Sequence, residues 1–428
     1  MSQAAPAGSP RNDPGLDGPR LLARLAELAA VGAEPSGGVS RLAYSAADVA
    51  GRDLVASWMA AAGLVVEVDA ACNLIGRLEP PPDAGAGPAR AKPLVVGSHL
   101  DTVVDGGRLD GAYGVVAAVE AVAALTAAGH RWRHPVAVVA FANEEGAGGT
   151  DGFDGSRAIA GRPNPLDGTD RHGVSLGRRL DGAGGRSGEQ ASAAWPGPVA
   201  AFLELHIEQG PVLDEAGIPL GVVTGITGRR SLDVVIEGRA NHAGTTPMDL
   251  RRDALVAAAR AILAVEAVAG PGQMVRVATT GTVEVWPDVR NVVPGRARLG
   301  VDLRDLDDTA LDRAVAHLRE VLAGIAAATG TDITVTVDGI QPPAPADEGL
   351  MAVLEESAGE RGLAHTRLAS GAGHDAQVMA ALGPMAMLFV PSRHGVSHSP
   401  REHTDAAHLV AGAEVLALAL ARLDQRAG

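Results

Sequence analysis

The chain has 428 residues, 46% of them apolar and 20% charged, which is enough for a large core and too many for one ordinary domain, so two domains are expected. A net charge of −15 leaves no basic face for a phosphate backbone, and nucleic acid is not an expected partner. The single cysteine, Cys72, excludes an internal disulfide and a cysteine-rich zinc site, and the single lysine, Lys92, is followed by Pro93 and cannot serve a Walker loop.

Residues 1–19, rich in Pro, Gly, Ala and Ser, read as a disordered leader rather than a signal peptide. Cys72, with apolar neighbours, reads as a buried structural residue that fits a reducing compartment. Pro93 to Ser98 is a strand-like apolar run, Gly114 to Ala128 a helix-length apolar segment, and Pro135 to Ala142 a second strand. This is the rhythm of a largely parallel α/β sheet. No apolar run reaches membrane-spanning length, the longest being Val115 to Gly129 with Glu120 inside it, so a cytoplasmic protein without a membrane partner is expected. Asn164 to Pro198, rich in Gly, Arg, Asp and Ser, reads as irregular surface structure with room for a short helix.

From Arg229 the pattern changes. A strand (Ser231 to Gly238), a helix (Asp249 to Ala269), two strands (Met274 to Trp286 and Gly295 to Asp305), a helix (Asp308 to Thr329) and a strand (Asp332 to Gly339) give the order βαββαβ. That order predicts a self-contained domain, 227–340, inserted into a catalytic domain made of 20–226 and 341–428. Helix–strand alternation resumes from Asp347 to Asp424, with Met385 to Val390 as a core strand.

Chemistry is concentrated after the apolar runs, where open α/β sheets bind ligands. GSHLDTVVDGGRLDGAYG supplies His99, Asp101 and Asp110; FANEEG supplies the adjacent Glu144 and Glu145; ELHIEQG supplies Glu204, His206, Glu208 and Gln209. Near the C-terminus MAMLFV leads into PSRHGVSHSPREHT with His394, His398 and His403, where Gly395 and Pro400 favour a loop that offers at most one metal ligand. Each of these side chains also has a structural alternative, a solvated glutamate pair or a hydrogen-bonded histidine. Together, histidines and carboxylates without cysteine suit one or two divalent ions held by nitrogen and oxygen: zinc, manganese, cobalt or nickel.

GSHLDT, LDGAYG, NEEG, ELHIEQG, NHAGTTPMDLRRDAL, NVVPG, GAGHDA and VSHSP, in that order from about residue 20 to 424, resemble the hydantoinase/carbamoylase type of dimetal amidohydrolase. That group contains N-carbamoyl-L-amino-acid hydrolases, ureidopropionases and allantoate amidohydrolases. The resemblance implies a mixed-sheet, phosphorylase/hydrolase-like α/β catalytic domain with an inserted ferredoxin-like lid that also makes a homodimer. It implies two divalent ions per subunit, one held by His99 and His206, the other by Glu145 and His398, with Asp110 bridging. Glu144 takes the acid/base role, and Asp101 orients the His99 imidazole. Gln209 is the candidate partner of a ureido group. Gly373 and His374 of GAGHDA line the site, His374 having a purely structural alternative. In the lid, His242 stabilises an oxyanion, with a reach into the partner subunit left open, and Asn291 and Arg304 clamp a substrate carboxylate. For Arg304 the alternative is a surface ion pair with Asp302 or Asp305.

The implied reaction is hydrolysis of an N-carbamoyl carboxylic acid, first an N-carbamoyl-L-amino acid and next allantoate, releasing ammonia, carbon dioxide and an amine. A peptidase or aminoacylase cleaving an ordinary amide is the second reading, and a noncatalytic metal-binding scaffold the third. The chain departs from the family after NEEG, where AGGTDGFDGSRAIAG lacks the usual Arg-Phe step, which predicts a more mobile or reshaped loop beside Glu145. His403 stands where an aromatic or aliphatic residue is expected.

Overall fold

The computed structural model describes residues 15–81, 92–146, 152–169 and 173–426. Most of the leader and the stretch 147–151 of the glycine-rich loop lie outside the described residues. Contacts divide the chain into Met1–Thr224 with Ala346–Gly428, and Gly225–Pro345. The expected limits of the insertion, 227 and 340, fall slightly inside this second unit, because Ala344 and Pro345 pair with Ile226 and Gly225.

The first unit opens with helices α1 (Gly18–Ala30) and α2 (Ala46–Ala61), a hairpin of strands β1 (Val65–Val68) and β2 (Leu74–Leu78), then β3 (Leu94–His99), α3 (Ala112–Ala127) and β4 (Val136–Phe141). Short helices α4 (Asp154–Ile159) and α5 (Leu176–Gly182) precede β5 (Ala201–Ile207), α6 (Val212–Ala216) and β6 (Leu220–Ile226). The second unit runs β7 (Gly228–Glu237), β8 (Asn241–His242), α7 (Ala254–Ala267), β9 (Val277–Trp286), β10 (Val292–Val293), β11 (Arg296–Asp305), α8 (Asp308–Thr329), β12 (Asp332–Gln341) and β13 (Ala344–Pro345). The chain then completes the first unit with α9 (Glu348–Glu360), β14 (His365–Ser370), α10 (Asp375–Met379), β15 (Met385–Val390) and α11 (Ala406–Arg426).

The larger sheet has the order β1-β2-β4-β3-β5-β15-β6-β13, with β14 paired to β6. It is mixed rather than largely parallel: β4, β3, β5 and β15 are mutually parallel, whereas β2 and β6 flank them antiparallel. Strands β3, β4, β5 and β15 are buried along their whole length, as parallel strands covered on both faces must be. The chain has few aromatics, and α3 covers this sheet with small side chains, Val115, Val116, Ala117, Val119 and Val122 among them fully buried.

Two expectations need correction. The leader ends before residue 19, because Asp17 accepts the Arg20 N–H at 3.0 Å and starts α1 at Gly18. The most apolar long segment is α11, which by length and composition meets the requirement for a membrane span. It packs instead against α3, α9 and β15, with Val415, Leu416, Leu418 and Leu420 buried.

In the second unit all neighbours in the order β12-β7-β11-β9 are antiparallel. Strand β7 alternates buried and part-exposed side chains along its length, and Leu232, Val234, Ile236, Ala297, Leu299, Val301 and Leu303 face α7 and α8. The first of these helices begins at Ala254 rather than Asp249, because Asp253 accepts the N–H groups of Leu255 and Val256. A two-stranded ribbon of β8 and β10 pairs His242 with Val292.

Candidate metal centre

The four parallel strands deliver their carboxyl ends to one edge. His99 closes β3, Glu144 and Glu145 follow β4, His206 is near the end of β5, and His398 follows β15. Asp110 comes from the loop after β3, directly before the N-terminus of α3, where the helix dipole favours an anion. Gly111 is required there: its φ is +61°, and a Cβ would lie 2.4 Å from the His99 ring.

Each oxygen of Asp110 faces a different set of groups. Oδ1 is 3.7 Å from His99 Nε2 and 3.1 Å from His206 Nε2. Oδ2 is 3.0 Å from His398 Nε2, which in turn is 3.3 Å from Glu145 Oε2. Glu144 Oε2 lies 3.7 Å from His99 Nε2. His99 Nδ1 donates to the Asp101 carbonyl at 3.0 Å and His206 Nδ1 to the Ile207 carbonyl at 2.8 Å. A carbonyl can only accept, so each ring holds a proton on Nδ1, and in the neutral imidazole the Nε2 lone pair is directed at a carboxylate, the Gly111 N–H also approaching His206 Nε2 at 3.1 Å. Between such facing groups either a proton or a divalent ion can sit, and ligand atoms on one tetrahedral zinc lie roughly 3.3 Å apart. His99, Asp110 and His206 form one group able to hold an ion, and Asp110, Glu145 and His398 another.

Protonation reflects the same crowding. Burial lowers the His206 imidazole, but the Asp110 hydrogen bond outweighs it and pushes it up to about 9. The Asp110 hydrogen bond likewise lifts His398 to about 9. Burial pushes Glu145 up to about 8, with Asp110 adding to it, and holds Glu144 well above the carboxylate range beside Asp375 and Glu145. Asp110 stays well below its ordinary value despite burial, because His206 and His398 donate to it.

Asp101 is placed differently from the expectation. Its backbone carbonyl holds His99, whereas its carboxylate is 3.8 Å from Nδ1 and accepts the N–H groups of Glu144 at 3.2 Å and Glu145 at 3.1 Å. It therefore ties the β3 and β4 loops together. Gln209, at φ +59°, donates from Nε2 to Asp110 Oδ2 at 2.9 Å, and its buried Oε1 has no partner among the described residues. Buried His374 bonds Ser370 Oγ at 2.9 Å and packs edge-on against His206. A Cβ on Gly373 would stand 2.8 Å from the Phe153 ring.

Other expected residues serve structure. Glu204, although grouped with His206 and His374, accepts Ser98 Oγ and the Ala376 N–H. Glu208 caps α6 through Val212 and Leu213. His394 sits against Asp214 and His403 against Asp405, leaving His398 alone of the three near Asp110. In the second unit His242 accepts the Gly244 N–H, and the Asn291 carbonyl accepts the Ala243 N–H, so the ribbon brings His242 and Asn291 together. Arg304 pairs with Asp302 at 2.7 and 3.3 Å, the alternative open to it from the sequence.

Three supporting residues escaped the sequence reading. Buried Arg41 donates to the carbonyls of Leu100, Leu28 and Val31, fixing the turn after His99. Asp375, fully buried beside Glu204, has its carboxyl held well above the ordinary range by burial. Glu402 binds the backbone at Leu109 and Asp110. The signal available for Asp375 and Glu402 was a charged residue inside or just beyond a motif, GAGHDA and VSHSP.

The profile of peptidase family M20/M25/M40 matches residues 95–422. The chain belongs to this family. Within it, the chain is 43% identical to an N-carbamoyl-L-amino acid amidohydrolase of Geobacillus stearothermophilus over 94% of its own length and 97% of the relative's. It is 37% identical to an allantoate amidohydrolase of Bacillus subtilis, covering 91% and 93%. A hydantoinase/carbamoylase family amidase from Burkholderia multivorans superposes with a TM-score of 0.87 at 37% identity, over 96% of this chain and 99% of that one. The chain is a hydantoinase/carbamoylase-type member of the M20/M25/M40 family, and a hydrolase of C–N bonds.

Proposed function

We propose that the chain hydrolyses the ureido C–N bond of an N-carbamoyl-L-amino acid, using two divalent ions that share Asp110. The observation that carries the metal assignment is that His99 and His206, each with Nδ1 held by a carbonyl, turn Nε2 toward Asp110 Oδ1, with His398 and Glu145 gathered at Oδ2. The substrate class is supported by the 43% identity to the carbamoyl-amino-acid relative. Allantoate is the second reading, favoured by the 37% identical Bacillus subtilis relative.

The residues divide the chemistry among them. Bound at Asp110, divalent ions would polarise the ureido carbonyl and acidify a water. Glu144, buried and protonated readily, takes a proton from the attacking water and returns it to the leaving nitrogen. Gln209 Oε1, buried without a partner, accepts a ureido N–H. Arg304 leaves Asp302 to clamp the substrate carboxylate with Asn291, and His242 supports the developing oxyanion. His374 and Gly373 line the site around His206.

The second unit is assigned to lid and dimer contacts. Edge strand β9 exposes Val277, Val283 and Trp286, and the neighbouring α7 exposes Leu255, Val256 and Leu263, an apolar margin that a second copy would cover. A homodimer would let His242 act in the partner's site. The buried thiol of Cys72 fits a cytoplasmic setting. Ammonia release from N-carbamoyl-L-amino acids, allantoate, N-acetyl-amino acids and dipeptides, measured with zinc, manganese, cobalt and nickel, tests the reading. Preference for the carbamoyl compounds is expected; preference for acetyl or peptide substrates overturns it.

A further inference from the structure

Glu402 stands outside the proposed ligand set yet touches the machinery at three points. Its Oε1 accepts the backbone N–H of Leu109 at 2.8 Å and of Asp110 at 3.2 Å, and its Oε2 accepts the Ser397 hydroxyl at 2.8 Å. The carboxylate is buried, and Gly107 makes room for it, since a Cβ there would lie 2.0 Å away. Ser397 Oγ also lies 3.1 Å from Asp110 Oδ2, the oxygen that faces His398 and already receives Gln209 Nε2 at 2.9 Å. A hydroxyl has one proton, and here two carboxylates compete for it. If the proton went to Asp110, two donors would fill the lone pairs that an ion in the Asp110, Glu145 and His398 group needs.

We propose that Glu402 is a positioning residue that keeps Asp110 Oδ2 open to a metal ion, by anchoring the Asp110 backbone and by drawing the Ser397 proton to itself. The inference rests on the dimetal reading. Glu402→Gln separates the two actions. The glutamine oxygen keeps the two backbone N–H bonds, because an amide nitrogen cannot accept them, and its NH2 then donates to Ser397. The Ser397 proton is turned toward Asp110 Oδ2, where it competes with the ion.

The test is zinc titration of the metal-free protein in a competing chelator, with bound metal counted by mass spectrometry and His398→Ala marking loss of the ion in that group. Wild type should take two ions. Glu402→Gln should keep the ion of the His99, Asp110 and His206 group and bind the other about 10–100-fold more weakly, the usual scale for a residue that supports a ligand. Ser397→Ala alone should bind the second ion at least as tightly as wild type, and the double variant should recover most of the loss. A merely structural role would weaken both ions alike with no rescue by Ser397→Ala, and that result overturns the proposal. So does an unmoved second ion in Glu402→Gln, or a weakened one in Ser397→Ala. A wild type that takes fewer than two ions refutes the dimetal reading itself and this inference with it, an outcome distinct from two ions that ignore Glu402.

Discussion

The carboxyl edge of the large sheet and the helix-covered sheet of Gly225–Pro345 treat charge in opposite ways. In the smaller unit carboxylates have arginine partners: Asp308 and Asp312 meet Arg230, Asp233 meets Arg298, Glu237 meets Arg296, and Asp302 meets Arg304. At the sheet edge Asp110, Glu144 and Glu145 are brought together with histidines, buried, and pushed far from their ordinary protonation. Apart from those of buried Arg230, these are surface pairs, which contribute little to stability. Buried carboxylates of the second kind are costly unless a cation joins them, so the same residue type reads as surface solvation in one unit and as a metal centre in the other.

The strongest way to break this contrast is Asp110→Ala. It removes the one carboxylate common to both ligand groups, so both ions and all turnover should be lost, as elemental analysis and ammonia release would report. Full metal content in that variant would show that the edge does not depend on Asp110. Glu144→Gln should separate chemistry from metal binding: about 10²–10⁴-fold lower kcat with two ions retained.

A third test moves to the paired region. Arg304→Lys should weaken binding of a carboxylate substrate about tenfold, since an ammonium cannot reproduce the two-pronged geometry. The corresponding neutral amide should show little further loss in the variant; additive losses would leave Arg304 with no part in holding the carboxylate. The smallest effect is on stability. Glu145, ordinarily near 4.5, is raised to about 8, and His206 and His398, ordinarily near 6.5, are raised to about 9. A raised group binds more protons folded than unfolded, so its contribution is complete below the ordinary value and lost as pH rises through the raised one. His99, lowered to about 4, titrates below that window. The melting temperature of the metal-free protein should therefore fall between about pH 6.5 and 9 by several degrees, and zinc should flatten the profile. A flat profile without metal would contradict the crowding at Asp110.

How much of this was legible follows from the range of the interactions. The six long elements of the smaller unit were readable because strand alternation and amphipathic helices are local patterns, down to the 308–329 limits of α8, whereas the two-residue strands β8, β10 and β13 were too short to carry one. The strand-end motifs were readable because short apolar runs break into His, Asp and Glu. Helices α1 and α2 went unread, although Leu21, Leu25 and Leu28 line one face of α1, because that helix starts inside a Pro- and Gly-rich stretch. Glu402 and the Leu109–Asp110 backbone are nearly three hundred residues apart, and no local pattern announces such a contact. The same is true of the Asp101 carboxylate reaching the Glu144 and Glu145 N–H groups rather than His99. The Arg304 choice between substrate and Asp302 could not be read either, since both partners satisfy the same guanidinium.

The central claim is that one aspartate joins two ions. Anomalous diffraction from crystals of the zinc-loaded wild type, collected on both sides of the zinc edge, measures it most directly. Two peaks about 3.5–4 Å apart are expected, one among His99, Asp110 and His206 and the other among Asp110, Glu145 and His398. A single peak, or two peaks that do not share Asp110, would contradict the account.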